Sequence, residues 1–524
     1  SGSGRSWRNR PSLFLLRQAF GGQVELWWSG TQRVLHSRGR RGVTTNTVAK
    51  ELVFSKPADL VADQIAALFR GGTNLPNGMK AIFKENQKTL TLAFPIIAGQ
   101  LTQMLLGLVD TLMIGRLGTV ELAAAAFVNV LFFLAFVPAI GWFAAVSVQV
   151  SHAFGANRQA ESAESFRNGL LVSVLIGFLL AALLLALIPF LGVLRQPPEV
   201  VAITPPYLIW VALSLIPIVP AMTIKSFAES RNHPWAVFWI LLAGVALNVL
   251  LNYALIFGQL GAPELGLVGA GVATFIARLL SLGALILYLN RSGSMAPGRP
   301  RRWLTRLDGA ECKETARIAL PVAGQLLLEI GAFTIAALLI GQFGSVALAS
   351  HQIALTCASL TFMLPLGLSM AVTIRVAHSL GRGNADQCRN LLVGAHATTF
   401  LIMSACALSY ILAGDLIAAA FTTDPLVIAT TGSILVVVAF FQVFDGVQII
   451  SMSALRALRD VNLPTGIIFA CFWIVGIPLG SLLAFAFGYE APGLWMGLAA
   501  GLVVASFSLT IRLMVKLNAQ DRLS

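Results

Sequence analysis

Charge is what this chain has least of. Only 11% of its 524 residues are Asp, Glu, Lys or Arg, against about 25% in a typical soluble domain. So few charges cannot cover a water-facing surface, so much of the chain must lie in lipid. Cysteine is scarce too. Cys312, Cys357, Cys388, Cys406 and Cys471 are odd in number and lack metal-ligand spacing. They read as thiols or small core residues with no disulfide or metal role. The six histidines form no catalytic pattern, which argues against a membrane-embedded enzyme. The ten-residue alternation of a membrane barrel is missing as well.

What is present is apolar length. Hydrophobic residues make up 57% of the chain. Twelve apolar stretches follow one another, six between about 88 and 290 and six between about 317 and 516. Most reach the roughly 20 residues that a helix needs to cross a bilayer core. The fold class expected is an all-α membrane protein of twelve transmembrane helices.

The chain also repeats itself at an offset of 226 positions. Pro95 meets Pro321, Ile114-Gly115-Arg116-Leu117-Gly118 meets Ile340-Gly341-Gln342-Phe343-Gly344, and Gly155 meets Gly381. The offset holds without a gap over about 60 residues, too long for chance. Six spans per repeat give the two halves the same orientation, as parallel-repeat six-helix lobes. Duplication in so apolar a chain points to transport, with cargo bound between the halves.

The formal net charge of +13 invites a nucleic-acid reading, but its distribution rejects it. Lys and Arg crowd one set of helix ends and the central linker, while the opposite ends carry only Arg116 and Arg195. That asymmetry places both termini and the linker in the cytoplasm, and the basic residues meet anionic lipid rather than DNA. The expected organisation is a basic extension over 1–78, an N-lobe over 79–290, a connector over 291–316 and a C-lobe over 317–524. The extension carries 11 Lys/Arg against 4 Asp/Glu and no membrane-length apolar run. It reads as an upstream segment with no transport role, with Met79 a plausible natural start. A transit peptide or a regulatory tail is the alternative.

Three carboxylates interrupt the apolar helices: Asp110, Glu329 and Asp445. A lone Asp at the bilayer centre costs at least about 2.5–3.5 kcal/mol, so the default reading is functional. They do not stand alone. Gln100, Gln103, Gly107 and Asp110 share one helix face, as do Gln325 with Glu329, Phe441 with Asp445 and Gln448, and Asn248 with Asn252. Such stripes should face a shared cavity rather than lipid. His351 is a further candidate for that lining. His152 and His378 are repeat-equivalent and read as structural, closing helix ends. Arg278, in mid-span, either pairs with a carboxylate or reaches toward an end of the bundle.

Taken together, these residues resemble the multidrug and toxic compound extrusion (MATE) family, in its NorM-like bacterial branch. The resemblance covers about 80–517. It is carried by Val109-Asp110-Thr111 with Gly115, by Pro321 with Glu329, by His351-Gln352-Ile353-Ala354-Leu355, by Ile374-Arg375-Val376-Ala377-His378-Ser379-Leu380-Gly381, and by Asp445-Gly446-Val447-Gln448. It implies an N-lobe cation or proton site at Asp110, Asn248, Asn252 and Thr274. It implies C-lobe coupling carboxylates at Glu329 and Asp445. Phe441 takes a position where members can carry a tyrosine, so a cation could lie over its ring without a hydroxyl ligand. Gln100, Gln103, Gln325, His351, Gln352 and Gln448 are expected to line the cleft.

The function expected is antiport by a monomer in the inner membrane, exporting amphipathic organic cations in exchange for Na⁺ or H⁺ by alternating access. No nucleotide-binding loop accompanies the spans, so no cofactor is expected beyond the coupling ion. The runner-up is a lipid-linked oligosaccharide flippase of the same superfamily. A flippase would favour a basic cavity, whereas this chain offers acids and amides.

Overall fold

The structure is a computed structural model, and it describes residues 77–300, 303 and 307–521. Twelve helices are long and apolar enough to cross a membrane. They are α1 (Gly78–Gly115), α2 (Thr119–Gly155), α3 (Gln159–Leu194), α4 (Pro198–Ser230), α5 (Pro234–Phe257), α6 (Gly266–Arg291), α7 (Gly309–Phe343), α8 (Ser345–Gly381), α9 (Ala385–Ala419), α10 (Pro425–Ala457), α11 (Asn462–Ala486) and α12 (Glu490–Ala519). No strand occurs among the described residues. In the N-lobe α2, α3 and α4 pack together, and α5 pairs with α6. In the C-lobe α8, α9 and α10 pack together, and α12 lies against α10 and α11.

Several helices outrun their apolar stretches, because their ends lie where hydropathy says nothing. α7 starts at Gly309, inside the stretch assigned to the connector. Asp308 caps it by accepting the Ala310 N–H at 2.9 Å. Part of that connector, Gly293–Gly298, is a 3₁₀ turn with Met295 buried against the N-lobe. α4 is interrupted at Ser214, whose hydroxyl donates to Val211 O at 2.6 Å. The extension expected over 1–78 lies outside the described residues but for Asn77 and Gly78, which open the first helix.

The lobes are joined by an exchange. The first part of α1 sits in the C-lobe core, where Leu92, Ala93 and Ile96 pack among residues of α8 to α10. The first part of α7 sits in the N-lobe core, where Ile318, Ala319 and Val322 join the cluster and the helix packs against α2 and α3. These two triplets are the same positions of the repeat. Toward their far ends α1 and α7 return to their own lobes, with Ile114 in one core and Ala332 and Ala336 in the other.

Lipid tails are as apolar as leucine, so this exchange is held by close packing and hydrogen bonds rather than by removal from water. Small residues make the approach possible. A Cβ on Gly141 of α2 would collide with the Ala319 carbonyl, and one on its repeat partner Gly367 of α8 with the Ile97 backbone. The ends of α2 and α8 cross at Gly155 and Gly381, each lying against the other helix's backbone at His378 and His152.

Hydrogen bonds between the lobes cluster in this half, nearer the chain ends. Arg375 donates to Thr89 Oγ1 at 2.6 Å and to the Glu85 carboxylate. Asn86 donates to Thr398 Oγ1 at 2.8 Å, Thr315 to Gln149 Oε1 at 2.8 Å, and His378 Nε2 lies 2.8 Å from Ser230 O. Just beyond, in the turn between α4 and α5, burial and the neighbouring Arg231 charge hold His233 below the usual imidazole range. In the far half of α1 Gln103, Gly107 and Thr111 are exposed along one side, and Gln352 is exposed on α8.

Candidate functional site

Each lobe holds one carboxylate in a web of amides. In the N-lobe the web spans three helices. Asn252 Nδ2 of α5 donates to Asp110 Oδ1 of α1 at 2.6 Å and to Asn248 Oδ1 at 3.0 Å. Asn248 Nδ2 in turn lies 3.3 Å from Thr274 Oγ1 of α6. The i, i+4 spacing stacks both Asn side chains on one face of α5, and both are buried. All four residues expected at an N-lobe site therefore meet. Asn252 Oδ1 is buried and accepts no hydrogen bond among the described residues. Its amide cannot be turned to relieve this, because Nδ2 already serves two acceptors.

Arg278 shares this region. Its Nη1 donates to Ser214 Oγ at 2.6 Å, at the break in α4, and its guanidinium lies 4.6 Å over the Phe132 ring. It is also an electrostatic neighbour of Asp110. Of the two readings the sequence left open, the structure supports the neighbourhood of a carboxylate, with the guanidinium held by a hydroxyl and a ring.

In the C-lobe Glu329 Oε1 accepts from Gln448 Nε2 at 2.9 Å and from Gln325 Nε2 at 3.2 Å. Asp445, one turn before Gln448 on α10, is an electrostatic neighbour of Glu329. The second oxygen-bearing amide repeats the N-lobe pattern, since Gln448 Oε1 is buried without a hydrogen-bond partner among the described residues. Arg456 also acts on Glu329 electrostatically. Sequence reasoning counted Arg456 only as a topology charge. The signal was available, since Asp445, Gln448, Met452 and Arg456 fall at i, i+3, i+7 and i+11, one face of α10.

Two expected positions need correction. His351 does not line a cleft. It is 1% exposed, its Nδ1 accepts from Trp495 Nε1 at 3.1 Å, and it packs inside the C-lobe. Phe441 does not offer an open face. It is 4% exposed and stacks edge to face with Trp495, at 5.7 Å between centroids, and with Phe333 at 5.9 Å. Both face inward because α12 covers that side of α8 and α10 with Trp495. Among the glutamines, Gln103 and Gln352 are exposed, Gln100 is half-buried, and Gln325 and Gln448 are buried against Glu329. No cluster of His, Cys, Asp and Glu able to hold a metal occurs among the described residues.

A carboxylate beside an unsatisfied amide oxygen, away from water, can hold a proton or a hard monovalent cation. Both oxygens are ligands that Na⁺ accepts, and a proton needs only the carboxylate. Neither cluster contains a nucleophile with an adjacent base.

Comparison with known proteins identifies the family of the chain. The MatE family model matches the chain twice, over residues 95–254 and 321–482. The two matches begin 226 positions apart, at the repeat offset. The chain is 34% identical over 429 residues to the probable multidrug resistance protein NorM of Bradyrhizobium diazoefficiens, covering 81% of this chain and 92% of that protein. It is 35% identical over 431 residues to the protein of the same description in Pseudomonas putida, covering 81% and 93%.

Among solved structures, the eukaryotic MATE transporter AtDTX14 superposes with a TM-score of 0.75 at 21% identity, covering 85% of this chain and all of the other. The Vibrio cholerae MATE transporter VcmN in its bent form gives 0.78 at 21% identity, covering 84% and 99%. These likenesses carry the fold. With the doubled family match and the sequence relatives, they establish that the chain belongs to the MatE family, and that it is a multi-pass membrane transporter rather than an enzyme.

Proposed function

We propose that this transporter exports amphipathic organic cations in exchange for Na⁺ or H⁺, by alternating access across the inner membrane, as a monomer with both termini in the cytoplasm. The observation that carries the reading is the pair of unsatisfied amide oxygens, Asn252 Oδ1 and Gln448 Oε1, each on an amide whose nitrogen donates to a membrane-buried carboxylate. An ion at either place gains a charged and a neutral oxygen ligand at once. A cationic cargo drawn to the same negative charge competes with the ion, and that competition is the coupling. The relatives' description as multidrug resistance proteins supports a broad small-molecule cargo. The crowding of Lys and Arg at the terminal ends of the helices supports the orientation. Acidic and amide groups, rather than a basic pocket, line the two webs and favour cation export over movement of a pyrophosphate-linked lipid.

The test is ethidium movement in inside-out vesicles under separately imposed Na⁺ and proton gradients. Accumulation driven by at least one gradient is expected. If dye moves only down its own gradient whichever ion is imposed, the antiport reading fails.

A further inference from the structure

A second polar site lies at the base of the seam, far from both carboxylate webs. A cavity of about 190 Å³ opens there between the lobes. Lys88, on the part of α1 that packs in the C-lobe, lies beside Asn232 of the α4–α5 turn, which lines the cavity from the N-lobe. Arg375 and Ser379 of α8, Arg382 just after α8, and Gln387 of α9 line it from the C-lobe. Every one of these side chains can donate a hydrogen bond. Three are cations, and one carboxylate serves them. Glu85 accepts from Lys88 at 2.7 Å and from Gln387 at 3.1 Å, and pairs with Arg375. Two positive charges of the three are left over. Arg382 stands exposed at the edge, and half of the Lys88 side chain surface is open.

The repeat supplies an independent observation. At the offset of 226, Lys88 corresponds to Glu314, Arg375 to Gln149 and Arg382 to Ala156. The mirrored place on the other side of the seam therefore has no cation at any of the three positions. The cations near the mirrored place, Arg158 and Arg459, are each paired with a carboxylate, Glu161 and Glu314, whereas the cavity keeps positive charge over. A cavity lined by donors, cationic and roomy enough for a tetrahedral oxyanion, is a binding site in its own right.

We propose that this cavity binds a phosphate-type oxyanion, either the headgroup phosphate of an anionic lipid or free phosphate. Its lining comes from both lobes, so a bound oxyanion bridges them and favours the conformer in which the seam is closed. That consequence rests on the alternating-access reading above, whereas the binding itself does not.

The test uses the full chain in phosphatidylcholine nanodiscs. Binding of radiolabelled orthophosphate is measured by equilibrium dialysis at ionic strength matched with chloride. Retention of phosphatidylglycerol from a mixed bilayer is read in parallel by mass spectrometry of the intact complex. Saturable phosphate binding identifies a soluble oxyanion, and selective phosphatidylglycerol retention identifies a headgroup. In either case the double variant Lys88→Gln/Arg382→Gln should weaken binding roughly tenfold, while Glu314→Gln on the mirrored side leaves it unchanged. Should the double variant fail to insert, Arg382→Glu alone, at an exposed position, should abolish the binding. The proposal is overturned if neither source binds above the chloride-matched background, or if the cation-depleted variants bind as tightly as the parent.

Discussion

The N-lobe and the C-lobe share a backbone plan but handle buried charge differently. In the N-lobe one carboxylate, Asp110, has a cation nearby. Arg278 is anchored to Ser214 at the break in α4 and covered by Phe132. In the C-lobe two carboxylates, Glu329 and Asp445, neighbour each other, and Arg456 acts on Glu329. The N-lobe can balance its own charge internally, whereas the C-lobe is left with an excess negative charge for something else to neutralise. Duplication has thus fixed how the helices pack while leaving the titratable groups free to move. At the repeat offset Asp110 corresponds to Ala336 and Glu329 to Gln103.

The sharpest way to break this comparison is to neutralise one lobe at a time. Asp110→Asn and Glu329→Gln should each lower gradient-driven dye export at least about tenfold, with the protein still inserted, because both keep shape and remove the charge. Asp445→Asn should match Glu329→Gln. Export from right-side-out cells, set beside dye binding to purified protein, checks this. Near-parental export in Asp110→Asn would make the N-lobe web structural and leave coupling to the C-lobe alone.

Arg278 tests the internal balance. Arg278→Leu should destabilise the purified protein by about 3–5 kcal/mol, since it strands a buried acid and hydroxyl. The double variant Arg278→Leu/Asp110→Asn should lose less than the two single losses combined. Additive losses in thermal unfolding would show that the two groups do not act on each other.

Where the lobes are alike, paired substitutions should have equal effects. Gly155→Ala and Gly381→Ala each drive a methyl into the other helix's backbone, and each should cost about 1–3 kcal/mol. Unequal unfolding midpoints would show that the crossing is less symmetric than its geometry. The last comparison is at the base of the seam, where the smallest single loss is expected at Glu311. There Glu85 is charge-paired with Arg375, and its repeat partner Glu311 accepts from Asn168. Glu85→Gln should cost about 1–3 kcal/mol and Glu311→Gln less than about 0.5 kcal/mol. Equal losses would remove the distinction between a charged and a neutral seam contact.

The N-lobe web was legible from spacing only in part. Asn248 and Asn252 sit one turn apart on one helix face and Asp110 lies mid-span, but the grouping of Asp110 with them and with Thr274 came from the family resemblance. His351 and Phe441 were misplaced because periodicity tells which residues share a face, not what covers that face. The neighbour that buries both, Trp495, lies on the last helix. Arg456 was overlooked because an arginine near a helix end satisfies the topology rule before any other explanation is sought. The exchange of α1 and α7 was not legible at all. A repeat shows that two segments fold alike without saying which copy each packs against.

That exchange has a consequence for how the protein is made. Leu92, Ala93 and Ile96 enter the membrane with the first helix, but the core that receives them includes Leu368, synthesised roughly 270 residues later. At the usual 5–20 residues per second, α1 waits on the order of 15–55 s for its place. During that interval its small, close-packing surface faces lipid or the insertion machinery. Neither half of the gene product can complete a core by itself, so the protein reaches its native packing only once α8 has arrived, and synthesis that stalls between the lobes leaves a first helix docked mainly on α5, with its α8-facing side uncovered.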